Sequence, residues 1–360
     1  MNEDDEKVGA DYIAEKMQAL YPDQEGFYYG TVLPYFLGGK DPLDGVEVYI
    51  SEKEEGHWHY VTYGFSNLYD DVDDEDEDDE EEEDNEETKD SGYGFELTFR
   101  LKKETQEPPV WPVNLLQNLA RYVFSTGNCF DAGHHMSCNG PIALDTDTKL
   151  MALGFCIDPE LGEMDTCSGH VKFLQAVALT LDEMYAMMHW IGEKFLKELF
   201  CYIPYGITDL NRSSLLENEK FKQVLDKGIE EDGSSSVAVY TSAIKCYQSS
   251  DDEQMIIVEM GAMNVETFLT MLRGRTQKER SLFIIAETFT LSIEWASQSE
   301  YCEKEKDFAI LRLSKETLQE IQTILRPHVG TYRCDTMPLQ FIIERSEIKD
   351  SKGKVIEVIE

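Results

Sequence analysis

His57-Trp58-His59-Tyr60-Val61-Thr62-Tyr63-Gly64-Phe65-Ser66-Asn67-Leu68-Tyr69 leads into an acidic interruption, after which the chain resumes as Gly92-Tyr93-Gly94-Phe95-Glu96-Leu97-Thr98-Phe99-Arg100-Leu101-Lys102. In the second piece Tyr93, Phe95, Leu97, Phe99 and Leu101 take every other position, with Glu96, Thr98, Arg100 and Lys102 between them. A period of two sends the first set to one face of a strand and the second set to the other. The spacing therefore predicts a half-buried strand, preceded by another over His57 to Phe65. Seventeen of residues 70–90 are Asp or Glu and one is Lys. A loop with so few apolar side chains cannot repay its ordering entropy, so the expectation for 70–91 is disorder.

Upstream, Ile13, Met17 and Leu20 are spaced for an amphipathic helix that Pro22 ends, and strands are predicted over Phe27–Leu33 and Val46–Ile50. Downstream, Pro112 to Ser125 reads as a helix with Leu116, Leu119, Ala120 and Val123 inward. Lys172–Leu179 reads as a strand. Thr180 stands in capping-box relation to Glu183, which starts a helix reaching about Leu199. Another helix is expected over Glu217–Asp226. The run Asp232-Gly233-Ser234-Ser235-Ser236 is small and polar, and is taken as a flexible linker over 233–236. Beyond it come strands at Val237–Gln248, Met255–Met260 and Phe289–Trp295, a helix capped by Ser314, and a strand at Leu339–Glu344. The fold class is α+β, with two mixed domains over 1–232 and 237–360.

Length agrees: single cores stop growing near ~250–300 residues, and this chain has 360. Its formal net charge of −40 repels phosphates and anionic lipid, so direct binding to nucleic acid or membrane is disfavoured and a basic protein partner is favoured. The bland reading of the charge run is a solvated loop. Eight cysteines lie scattered with no C-x-x-C pair, which suits a reducing compartment. With the acidic opening Met1-Asn2-Glu3-Asp4-Asp5-Glu6, the expectation is a cytoplasmic protein with the nucleus as a second location. Oligomeric state is not readable.

Nothing in the text requires catalysis. His57-x-His59 shares a strand face, but no further ligand at a recognisable spacing completes a metal site. Packing and hydrogen bonding explain the pair. His134-His135, with Cys129, Asp131, Ser137 and Cys138, supplies the ingredients of a nucleophilic site without a nucleophile elbow around them. Gly38-Gly39-Lys40 lacks the P-loop frame. No cofactor, metal or catalytic residue is assigned.

The wording itself carries a resemblance. HWHYVTYGFSNLY, GYGFELTFRLKKET and WPVNLLQNLARYVF resemble the Suppressor of fused family, as do Leu33-Pro34-Tyr35-Phe36-Leu37-Gly38-Gly39-Lys40-Asp41-Pro42-Leu43-Asp44, Ile207-Thr208-Asp209-Leu210 and, in the second half, Leu272-Arg273-Gly274-Arg275. The likeness spans nearly the whole chain in the two-domain, eukaryotic-like form. It implies a non-enzymatic regulator, a negative regulator of Hedgehog-type signalling. In that family an extended peptide of a Gli-type zinc-finger transcription factor lies in a cleft between the domains, as a strand added to a sheet edge from each. Tyr122 matches a family tyrosine lining the cleft, although core packing would equally explain it. Phe130, His134 and His135 match the edge strand and loop of the first domain. Arg273, Arg275 and Arg280 match the second-domain side, for which surface solvation is the alternative. His134 stands where the family typically has an aspartate, which reverses the hydrogen-bond polarity of that pocket. The long insert of eukaryotic members shrinks here to Gln248–Glu253. Prokaryotic members resemble immunity proteins, so neutralisation of a toxin domain is the alternative function. An enzyme is the third option.

Overall fold

The computed structural model describes residues 7–33, 35–69, 89–249, 254–276, 278–349 and 355–359. The acidic run at 70–88 and most of the Gln248–Glu253 segment lie outside the described residues. The chain divides into two compact units, one comprising 1–187 and 192–222, the other 188–191 and 223–360.

The first unit is built on eight strands: β1 Phe27–Gly30, β2 Gly45–Ser51, β3 His57–Tyr63, β4 Asp90–Lys102, β5 His135–Ser137, β6 Leu150–Ile157, β7 Glu163–Thr166 and β8 Gly169–Thr180. They are ordered β1-β2-β3-β4-β8-β6-β5, with β7 paired to β8. The β4–β8 pair is parallel. Helix α1 (Gly9–Leu20) and helix α2 (Trp111–Thr126) cover opposite faces. Leu116, Leu119, Ala120 and Val123 of α2 join Trp58, Tyr60, Phe95, Leu97 and Phe99 in one core. Ile13 and Met17 of α1 pack with Tyr49, Val61, Tyr63 and Phe173 on the other side.

The half-buried reading of β4 is corrected. Glu96, Thr98 and Arg100 are as fully buried as the apolar residues that alternate with them. They are polar because they face polar partners, not water. The Glu96 carboxylate accepts from the N–H groups of Gly64, Phe65 and Ser66 and from the Thr62 and Ser66 hydroxyls, at 2.6–3.1 Å. Arg100 donates to Asp158, to Glu160 at 2.6 Å and to His57 Nε2 at 3.0 Å. His57 Nδ1 bonds the Glu55 carbonyl at 2.9 Å, and His59 Nδ1 bonds the Tyr21 hydroxyl at 2.8 Å. Buried polar groups persist only when paired in this way.

The helix predicted from Thr180 to Leu199 is two: α3 Leu181–His189 and α4 Gly192–Leu199. Its start is as expected, with the Thr180 N–H donating to Glu183 Oε2 at 2.9 Å. Gly192, the first residue of α4, leaves no room for a side chain, since a Cβ would sit 2.2 Å from the Gly133 carbonyl oxygen.

Helix α5 (Glu219–Asp232) crosses the division between units. The second unit then holds β9 Ala238–Tyr240, β10 Ile244–Gln248, β11 Ile256–Gly261, α6 Val265–Thr276, β12 Leu282–Ile285, β13 Thr290–Trp295, β14 Glu300–Glu305, β15 Phe308–Leu313, α7 Lys315–Ile324, β16 Gly330–Arg333, β17 Leu339–Glu344, β18 Ser346–Lys349 and β19 Val355–Ile359. Two sheets, β10-β11-β17-β16 and β14-β15-β13-β12-β9, enclose a core with α6 and α7, and β18 pairs with β19. Ser314 caps α7 as expected, accepting from the Thr317 N–H at 3.2 Å. The single strand expected over Val237–Gln248 is split into β9 and β10, which belong to different sheets.

The 233–236 segment is packed, not a solvated tether. Ser234 is fully buried, its N–H donates to the Gly274 carbonyl at 3.1 Å, and the Ser235 N–H donates to the Trp190 carbonyl at 3.1 Å. Small side chains here serve close approach: a Cβ at Gly233 would lie 2.0 Å from the Gly274 oxygen.

Candidate functional site

Helix α2 ends at Gly127, whose left-handed φ of 71° lets its N–H reach the Val123 carbonyl at 2.8 Å. That reversal brings Phe130 onto the sheet, stacked on Phe155 with ring centroids 4.2 Å apart. Tyr122 stacks on the same Phe130 ring at 5.8 Å, and its hydroxyl accepts from Asn128 Nδ2 at 3.3 Å. Phe130 is 8% exposed and Tyr122 37%. The three rings thus run from core to surface, and Tyr122 presents a fixed aromatic face to solvent.

Strand β5 follows at once and forms one edge of the eight-stranded sheet. Its register with β6 pairs His135 with Gly154, Met136 with Leu153 and Ser137 with Ala152. The flanking bonds Phe155 N–H to His134 O (2.9 Å) and Cys138 N–H to Met151 O (2.9 Å) fix which residues face β6. By the antiparallel alternation Met136 points its backbone groups at β6, and His135 and Ser137 point theirs outward. Among the described residues no strand lies on that side.

His134 is exposed, and its Nδ1 accepts the Asp131 N–H at 3.2 Å. With Nδ1 used as acceptor, Nε2 carries the proton, so the outward atom of His134 is a donor. Burial pushes the His135 imidazole down to about 4, leaving it neutral. Burial pushes the Cys138 thiol up to about 11, the reverse of what an activated nucleophile needs. Asp131 is held by Lys172 Nζ at 3.2 Å. Among the described residues no group of three or more His, Cys, Asp or Glu could hold a metal ion.

In the second unit β9 is also an edge strand, pairing with β12 in parallel. The bonds Phe283 N–H to Val237 O (3.0 Å) and Thr241 N–H to Ile285 O (2.9 Å) turn the odd-numbered residues toward β12. Ala238 and Tyr240 therefore direct their backbone groups outward, and the Tyr240 side chain is exposed. The expected arginines lie behind this edge. Arg275 is buried and donates to the Ser281 carbonyl at 2.6 Å and the Ser234 carbonyl at 3.1 Å. Arg280 donates to the carbonyls of Asp232 at 3.3 Å and Ser234 at 3.0 Å. Both clamp the segment that enters β9. Arg273 points elsewhere, into a pocket with Lys278 and Gln322.

Sequence reasoning missed Ser137, Ala238 and Tyr240. The outward direction of their backbone groups is set by strand register, which depends on partners far along the chain. The Thr241-Ser242-Ala243 break was the available sign that β9 ends early.

Residues 39–213 match the family model described as Suppressor of fused protein (SUFU). The human Suppressor of fused homolog is 37% identical over 242 residues, covering 63% of this chain and 48% of the human protein. The mouse homolog matches to the same extent. The chain spans about half the length of these curated relatives. The crystal structure of Drosophila Suppressor of Fused matches with a TM-score of 0.78 at 22% identity, over 92% of this chain and 96% of that one, a likeness of fold. A chain of a Sufu–Fu complex matches with a TM-score of 0.55 at 31% identity, over 63% of this chain and 99% of that one.

Proposed function

Because this chain belongs to the Suppressor of fused family, we propose that it is a non-enzymatic, protein-binding regulator of Hedgehog-type signalling. It acts by stoichiometric capture of an extended segment of a Gli-type zinc-finger transcription factor, held in the cytoplasm and also met in the nucleus. The observation that carries this reading is the open β5 edge, where the backbone groups of His135 and Ser137 face outward beside the exposed ring of Tyr122. A peptide laid along β5 gains the ladder from the backbone and its selectivity from side-chain surfaces. That a related structure is of a Sufu–Fu complex supports protein partnership as the class of function.

Magnitudes decide how the edge must be used. Two residues offer four backbone groups, and each net hydrogen bond contributes about 1 kcal/mol. Micromolar binding needs about 8 kcal/mol. The β5 ladder alone falls short, so apolar burial against Tyr122 and further contacts must supply the rest. β9 offers an edge of the same kind in its own unit.

Calorimetry with a Gli-type peptide tests this. Saturable one-to-one binding that weakens at least tenfold in Tyr122→Ala is expected. Equal affinity in that variant, with its fold intact by circular dichroism, sinks the reading.

A further inference from the structure

The second unit has a pocket between α5, α6 and α7 lined by Ile229, Glu230, Leu269, Arg273, Lys278 and Gln322. Three of these present hydrogen-bond donors, and two of the three are cations. Among the described residues Arg273 has no ion-pair or hydrogen-bond partner, although the chain carries 72 Asp and Glu against 32 Lys and Arg. Lys278 spends one N–H on the Glu231 carbonyl at 2.7 Å and keeps two. The Gln322 Nε2 atom is buried with no acceptor. A buried donor left unpaired costs about 1–3 kcal/mol, which an arriving acceptor would recover. Arg273 also sits in the last turn of α6, where a cation favours the helix end. That role explains Arg273 but not the orphaned amide on α7.

We propose that this pocket is a docking site for a phosphorylated side chain of a protein partner. A guanidinium, an ammonium and an amide supply one donor for each of the three free oxygens of a phosphate monoester. A carboxylate has only two oxygens. Glu230 in the wall repels an anion, so the site discriminates by the number of bonds made, not by charge alone. The apolar flank of Ile229 and Leu269 suits the carbon chain that bears the phosphate.

The test is amide-resolved nuclear magnetic resonance on the full chain at constant ionic strength. The probes are a capped Gly-phosphoserine-Gly tripeptide, its unphosphorylated twin and inorganic phosphate. The phosphopeptide should shift the Gln322 side-chain amide and neighbouring α6 and α7 amides saturably, and bind more tightly than inorganic phosphate. Arg273→Gln and Gln322→Leu should each weaken it at least fivefold while leaving the thermal midpoint within a degree or two. Identical spectra with the two peptides overturn the proposal. So does inorganic phosphate binding as tightly as the phosphopeptide, or unchanged binding in Gln322→Leu.

Discussion

Arg100 Nη2 lies 3.0 Å from both carboxylate oxygens of Asp158, and both side chains are fully buried. Asp158 also accepts from the Thr98 hydroxyl at 2.8 Å and from the N–H groups of Glu160 and Leu161 at 2.8 and 3.0 Å. Burial alone would raise its pKa, but the His59 bond and the Arg100 charge reverse this and hold the carboxyl well below the usual range.

Removing one member of such a pair strands the other charge in a dry interior, which costs about 3–5 kcal/mol. Asp158→Ala should lower the unfolding free energy by that amount, read as a shift in urea midpoint. Replacing Arg100 and Asp158 together by Met and Leu should cost less than the single change. If the double variant loses the sum of both singles, the two residues are not coupled.

A pH dependence follows from His57. Burial, with the Arg100 charge as a lesser cause, pushes its imidazole from 6.5 down to about 4, against the opposing bond to Glu55. The unfolded chain therefore takes up a proton before the folded one, and stability falls as pH drops from about 6.5 toward 4. For a fully buried group this is worth roughly 3 kcal/mol. Wild type should lose that much more than His57→Gln over this window in parallel urea titrations. Superimposable pH curves would contradict the assignment.

Ser137 separates binding from folding. Its N–H points away from β6, so a proline there removes no ladder bond within the sheet. Ser137→Pro should weaken binding of the proposed Gli-type peptide by about fivefold or more, one ladder bond being worth about 1 kcal/mol, while shifting the thermal midpoint only slightly. Met136→Pro, which removes an N–H that faces β6, should destabilise the unit itself. Undiminished peptide binding in Ser137→Pro would mean that β5 is not the edge used.

Arg275 predicts a local effect in the second unit. Arg275→Ala leaves the carbonyls of Ser234 and Ser281 without this donor, at about 1–3 kcal/mol. Amide hydrogen exchange at Val239 and Thr241 should quicken more than at Leu291 or Ile293. Uniform quickening across the sheet would point instead to a general loss of stability.

Much of this was legible from local pattern. The α2 stripe, the Ser314 cap, the Thr180–Glu183 relation and the strands at β3, β4 and β13 follow from spacing alone. What local pattern could not show was the company each face keeps. Thr98 and Arg100 read as solvent-facing because Asp158 and Glu160, which pair with them, lie about 60 residues away, and Glu96 because its partners Thr62 and Ser66 lie at least 30 residues back along the chain. The close approach of Gly133 to Gly192 joins residues far apart in the chain, and the packing of 233–236 depends on Gly274 and Trp190. Edge strands are likewise invisible locally: β5 is three residues long, and only its place in the sheet gives it meaning.

The strands flanking the acidic run are adjacent and antiparallel, and just outside it the Asn67 N–H meets the Ser91 hydroxyl at 3.1 Å while the Tyr93 N–H meets the Phe65 carbonyl at 2.9 Å. Entry and exit are stapled together independently of whatever is strung between them. Doubling the intervening length then costs only about 0.6 kcal/mol in closure entropy. The position is a natural splice port: a fluorescent reporter or affinity handle inserted there should leave the eight-stranded sheet undisturbed.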